Sequence, residues 1–201
     1  MKLLHLDSAA TGASSVTREL SAAIVALWKD KLPQLQVRYR DLDADPLPHL
    51  TGRSLAKSDP AEVAEAAQVL EDFLAADVLV IGAPMYNFSV PSTLKAWLDR
   101  ITVAGKTFRY TANGPLGLAG GKTLVVASGR GGIHGAGPTD FQEAYLRQVF
   151  GFLGVTDIEL VRAEGVAISP EHRRDAIADA VASIPDPLRL AAWPRKRASL
   201  N

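Results

Sequence analysis

The chain has 201 residues, with Lys plus Arg and Asp plus Glu at 22 each and a hydrophobic content of 47%. The length points to one domain with a real core, the neutral charge excludes a broad nucleic-acid-binding face, and the apolar content excludes a mainly disordered chain. Cysteine is absent, which removes disulfides, thiol nucleophiles, Cys-rich zinc sites and Cys-ligated iron–sulfur clusters, and no metal site is expected.

The opening MKLLHLDSAATGASS has an apolar run too short for a signal peptide, and Asp7 interrupts it. No stretch approaches the roughly 20 apolar residues of a membrane span, so a soluble cytoplasmic protein is expected. Residues 2–6 predict a first strand, 15–31 a helix, and 35–41 a second strand near an edge. The proline-bearing segment 42–60 reads as a loop, and 60–75 carries Val63, Ala66, Val69, Leu70 and Phe73 at helical spacing. Residues 77–82 (DVLVIG), apolar on both faces, predict a central parallel strand. A helix over 91–103 opens on Pro91, residues 106–121 predict a hairpin, and 122–127 a strand. A helix near 138–153, a strand at 157–162 and a helix over 170–184 complete a single domain, 1–184. The remainder, 185–201, with Arg195, Lys196 and Arg197, reads as a basic tail.

Strands alternating with helices imply right-handed crossovers and a parallel sheet covered on both faces. Ligands of such sheets sit beyond the carboxyl ends of the strands, which directs attention to loops 7–17, 83–90 and 128–137. The first, DSAATGASSVT, offers several hydroxyls at the start of a helix. It can hold a phosphate by hydroxyls and amides or can simply cap the helix through Ser14 or Ser15. A P-loop is excluded because GLAGGKT at 117–123 is one residue short and precedes a strand, and a G-x-G-x-x-G fingerprint because His134 stands where the third glycine belongs. Loop 83–90 (APMYNFSV) has no Lys, Arg, Glu or His, and its Met85, Tyr86, Asn87 and Phe88 suit a flat heterocycle with polar edges. Loop 128–137 (SGRGGIHGAG) lets backbone amides approach a ligand closely, while Arg130 faces either an anionic edge or solvent. Ser128 is not in a G-x-S-x-G nucleophile elbow.

Most of the aromatic residues crowd between Tyr86 and Phe152, with Trp97 and Tyr145 expected in the core. The motifs APMYNF at 83–88, PSTLKAWLDRITVAGKTFRYTANGP at 91–115, GRGGIHGAGPTD at 129–140 and GFLGVTDIELVRAEG at 151–165 resemble the FMN-dependent NADH-azoreductases, flavodoxin-like quinone reductases. The resemblance covers roughly 1–184. It implies a flavodoxin-like three-layer α/β sandwich with a five-stranded parallel sheet in the order 2-1-3-4-5, and a homodimer binding one FMN per subunit.

Carried over by motif, Ser8, Ser15, Val16 and Thr17 hold the FMN phosphate. Pro84, Met85, Tyr86, Asn87 and Phe88 line the ring, and Ser128, Gly129, Arg130, Gly131 and Gly132 close its pyrimidine side. Ala9 after Ser8 and the extra residue in SGRGG depart from the family's usual pattern. Phe108, Tyr110, Phe150 and Phe152 are expected as walls of the substrate pocket, with His134 on the substrate side. The chemistry implied is a ping-pong exchange: NADH or NADPH reduces the flavin and leaves, then a quinone or azo compound accepts two electrons. Flavin carries that chemistry, so no catalytic triad or carboxylate pair is required. The competing classes fit less well. Electron carriers of this fold are strongly acidic, receiver domains need an acidic pair after the first strand, and a hydrolase needs the missing elbow.

Overall fold

The computed structural model describes residues 1–135 and 137–191. Its centre is a five-stranded parallel sheet of β1 (Lys2–Asp7), β2 (Gln36–Asp41), β3 (Val78–Pro84), β6 (Thr123–Gly129) and β7 (Asp157–Ala163), ordered β2-β1-β3-β6-β7. The expected order is therefore the observed one, with a two-stranded hairpin, β4 (Phe108–Thr111) and β5 (Gly114–Gly117), inserted before β6. β3 is buried at every position and takes the central place its apolar sequence requires. β2 is the edge, where Arg38 pairs with Asp72 at 2.6 Å and Arg40 with Glu65 at 2.7 Å, the kind of charge that blunts an edge strand.

Register aligns the strand ends that matter. β1 pairs with β3 up to Asp7↔Gly82, and β3 with β6 up to Pro84↔Gly129. The three loops flagged in the sequence thus leave one edge side by side.

α1 (Val16–Lys31) starts where Ser15 caps it, accepting the Arg18 amide. It buries Leu20, Ile24 and Trp28 one turn apart on the face it shares with α6 (Pro170–Ala182). The opposite face carries α3 (Pro60–Ala75), α4 (Ser92–Ile101) and α5 (Phe141–Phe152). There Trp97 is in the core, edge-on to Phe73 at 5.9 Å, and Tyr145 packs on it half-buried, as expected.

Some boundaries differ from the sequence expectation. β3 and β6 each run two residues further, because ladder pairing with neighbours carries the chain through residues of poor strand propensity. Ser128 and Gly129 are accordingly strand, not loop. Pro91 caps α4 from outside instead of occupying its first turn. The 42–60 loop contains a short helix, α2 (Gly52–Leu55), held by a Thr51–Ser54 capping box. The expected tail begins docked: the Trp28 indole donates to the Pro185 carbonyl at 3.0 Å, Lys31 pairs with Asp186 at 3.0 Å, and α7 (Pro187–Ala191) follows. Arg195, Lys196 and Arg197 lie outside the described residues. Among the described residues no helix is long and apolar enough to cross a membrane.

Candidate active site

The turn from β1 into α1 brings Ser8, Ser15, Val16 and Thr17 together, all buried. Ser8 donates to the Gly82 carbonyl at 2.7 Å, and the hydroxyls of Ser15 and Thr17 are 3.1 Å apart. The helix-capping reading of Ser15 is correct, and it does not compete with anion binding. A capped helix still has amides in its first turn, at Val16 and Thr17, with no carbonyl ahead of them to bind.

The turn is braced from beneath by Arg18. Its guanidinium grips Asp41 through two bonds of 2.6 and 2.8 Å and donates to the Ala9 carbonyl at 2.9 Å. The bond from Arg18 holds the Asp41 carboxyl below its ordinary pKa, and the same bond raises that of Arg18. Asp7, alone in the sequence, is buried and accepts from Ser21 at 2.8 Å and Tyr39 at 3.1 Å. Burial, reinforced by the charges of Asp7 and Asp41, pushes the Tyr39 phenol up to about 12. A second cation, Arg173 on α6, donates to the Ser14 carbonyl at 2.9 Å. Neither arginine's place was legible in the sequence. Each comes from a helix face, where a charged residue reads as solvated.

The loop after β3 is a tight turn. Tyr86 and Ser89 exchange two backbone bonds of 3.0 Å, which forces Asn87 (φ 48°) and Phe88 (φ 68°) into the left-handed region. Asn tolerates that conformation, whereas a Phe there is a strained exception of the sort found at ligand sites. Phe88 is 51% exposed, beside an open sheet end. Tyr86 turns inward, its hydroxyl accepting the Ala10 amide at 3.1 Å and joining this loop to the first. Pro84 is the last strand residue, and the Met85 amide donates to the Gly129 carbonyl at 2.9 Å.

After β6 the roles differ from expectation. The Ser128 hydroxyl is buried, bonded to Gln142 at 3.0 Å and to the Arg130 Nε at 3.3 Å. Arg130, expected to face an anionic edge or solvent, is 1% exposed and surrounded by Asp140, Glu143 and Glu164. Neither side chain is available to a ligand, because strand alternation turns both toward α5. What remains at this edge is backbone, at Gly131 and Gly132, both exposed. Their carbonyls accept the Ala167 and Gly165 amides at 3.1 and 2.9 Å. Half-buried His134 meets Phe88 edge-on at 5.9 Å.

The aromatic walls do not join this constellation. Phe150 is 0% exposed and packs on Trp97 in the core; its place on α5 points into the sheet, so it lines no pocket. Phe108, Tyr110 and Phe152 do cluster, with Phe108 4.5 Å from Phe152 and 5.6 Å from Tyr110. That cluster sits at the amino edge of the sheet, where Leu118 donates to Thr107 and Ala119 to Leu153 just before β6 begins. Hence one copy of the chain cannot place them around its own carboxyl-edge site.

A doubly wound parallel sheet whose first turn offers hydroxyls and helix amides, beside an uncharged and strained second loop, defines a mononucleotide-binding protein of flavodoxin type. The chain belongs to the flavodoxin-like fold family, whose model matches residues 1–186. It is 66% identical over 184 residues to an FMN-dependent NADH:quinone oxidoreductase of Xanthomonas oryzae pv. oryzae, covering 92% of this chain and 95% of that protein. A Stenotrophomonas maltophilia protein of the same name is 61% identical, with the same coverage. Among solved structures, an FMN-dependent NADH-azoreductase from Bacillus anthracis in complex with FMN superposes with a TM-score of 0.83 at 26% identity, covering 94% of this chain and 99% of that one.

Proposed function

We infer that this chain is an FMN-dependent oxidoreductase, moving two electrons from NADH or NADPH to quinones or to aromatic azo compounds, which it cleaves, by ping-pong exchange at one site. The observation that carries the reading is the meeting of the Ser8–Thr17 turn with the Tyr86–Ser89 turn through the Ala10–Tyr86 hydrogen bond. The donor set fits FMN. Ser15, Thr17 and the first-turn amides of α1 hold a phosphate, with the nearby Arg18 charge largely answered by Asp41. Met85, Tyr86, Asn87 and Phe88 offer flat surface and hydrogen-bonding edges to the ring. Gly131 and Gly132 bring backbone without side chains to its other side, where amides stabilise negative charge.

When bound, FMN supplies the two-electron chemistry itself. The protein binds, orients and excludes water, with His134 beside Phe88 as its substrate-side group. The reading includes a homodimer in the cytoplasm. Tyr110 is 76% exposed at the sheet's amino edge, so with Phe108 and Phe152 it walls a substrate pocket only in a second copy's site.

The test is the visible spectrum of the purified protein before and after anaerobic NADH. A yellow protein bleached by NADH is expected, and bleaching also separates a reductase from an electron carrier. A colourless protein that cannot be reconstituted with FMN would overturn the reading. For the dimer, Tyr110→Ala is expected to raise KM for the acceptor while leaving FMN bound, and a monomer with full turnover would refute it.

A further inference from the structure

The glycine-rich segment after β6 has almost no side chains with which to define its own path. Gly131 and Gly132 are exposed, and Gly135 takes a left-handed φ of 58°. Backbone bonds anchor its start, where the Gly131 and Gly132 carbonyls accept the Ala167 and Gly165 amides, and charge holds the turn beyond. Arg130 Nη1 donates to the Gly135 carbonyl and to Glu164 Oε1, both at 3.1 Å. The same Glu164 oxygen accepts two successive amides, of His134 at 3.1 Å and Gly135 at 2.9 Å. Gly135 is therefore gripped from both ends, its N–H by the carboxylate and its C=O by the guanidinium. On the far side, Arg130 Nη2 meets Asp140 at 2.8 Å and Glu143, and Glu143 is held in turn by Arg162 through two bonds of 2.7 Å. Asp140 also caps α5, accepting the Glu143 amide at 3.0 Å.

A buried ion cluster is weak evidence for stability, since apolar residues of the same volume often serve as well. Its distinctive product is direction. Here it fixes the turn at His134 and Gly135, which carries the His134 ring against Phe88, next to the backbone of Gly131 and Gly132.

We propose that Glu164 and Arg130 are positioning residues, a latch that preorganises the 131–135 backbone and His134 for the flavin ring edge. The proposal rests on the FMN reading for its functional meaning, although the latch itself is a property of the chain alone. A binding site populated in only a fraction of molecules loses affinity by that fraction. Freeing the turn so that about one molecule in ten is competent would weaken FMN binding about tenfold.

The experiment compares the full chain with Glu164→Ala and Glu164→Gln. FMN is removed and titrated back by fluorescence quenching, and backbone hydrogen exchange is read over 131–135 in the FMN-free proteins. Glu164→Ala is expected to speed exchange there and to weaken FMN binding about tenfold. Glu164→Gln keeps an oxygen for the His134 and Gly135 amides and is expected to stay within about threefold of the parent. Faster exchange in Glu164→Ala with an unchanged FMN dissociation constant would overturn the positioning role. So would Glu164→Gln binding as weakly as Glu164→Ala, which would assign the effect to charge balance. Unchanged exchange in Glu164→Ala would overturn the latch. A parent protein that fails to bind FMN would instead sink the FMN reading, and the exchange measurement would still judge the latch.

Discussion

A β-carbon built on Gly129 would stand 2.8 Å from the methyl of Thr17. The last residue of β6 is thus pressed against the first turn of α1, and Gly82, two residues before the end of β3, also comes close, its β-carbon meeting first the Asp7 carboxylate and then, at 3.2 Å, the Thr17 carbonyl. Bare backbone at these two strand ends lets the amino end of α1 settle onto the sheet edge, where its amides face the ligand side.

Gly129→Ala tests that approach. The added methyl must push Thr17 or the helix start, an overpacking change of about 1–3 kcal/mol. Urea unfolding is expected to register that loss, and FMN titration an affinity about tenfold or more weaker, since a misplaced first turn misdirects its amides. Equal affinity in a destabilised variant would separate the close approach from phosphate binding.

The Arg18–Asp41 pair makes the brace under the first loop pH-dependent. Asp41 is held below its ordinary pKa chiefly by the bond from Arg18. A carboxyl depressed by folding stabilises above its unfolded value of about 3.9 and loses that contribution as pH falls through the folded value. Asp41→Asn is expected to cost about 2 kcal/mol at neutral pH, the scale of a charge-assisted bond. The gap to the parent, followed by urea midpoints, narrows as pH drops below about 4.

Phe88 separates stability from function. Its φ of 68° is costly for a bulky side chain, and half the residue is exposed. In Phe88→Gly the relief of strain, about 1–3 kcal/mol, works against lost packing on His134 and the added freedom of the unfolded chain. Thermal midpoints are expected to shift by only a few degrees, while turnover with NADH falls and the bound-flavin spectrum changes. A large stability loss would show that Phe88 is a packing residue instead.

Ending the chain at Ile184 removes the bond from Trp28 to Pro185 and the Lys31–Asp186 pair. Loss of the indole's partner, with new access of water to Trp28, is expected to cost about 1–2 kcal/mol in urea unfolding and to red-shift tryptophan emission relative to Trp193→Phe, the fitting reference because the truncation also removes Trp193. FMN affinity should hold, since this contact lies at the far end of α1. An unchanged emission spectrum would mean that 185–191 adds nothing to the core.

The order of elements, the central place of β3 and the location of the three loops were legible in the sequence because each depends on local pattern. Apolar runs, helical spacing and turn residues fix which segments pair and which face inward, and parallel connections then force the loops of β1, β3 and β6 to one edge. The direction in which a side chain leaves that edge was not legible. Ser128 and Arg130 came in as ligand groups through the family motif, yet strand pairing continues to Gly129 and buries both among Gln142, Asp140, Glu143 and Glu164. Phe108, Tyr110 and Phe152 read as site walls by their nearness in sequence, yet α4 and α5 each cross the sheet's height and deliver them to its other end. Local pattern determined the scaffold and its reactive edge. Only the tertiary structure decided which groups face that edge, because a charge buries wherever distant segments supply its counter-charge, and no short window of sequence contains both.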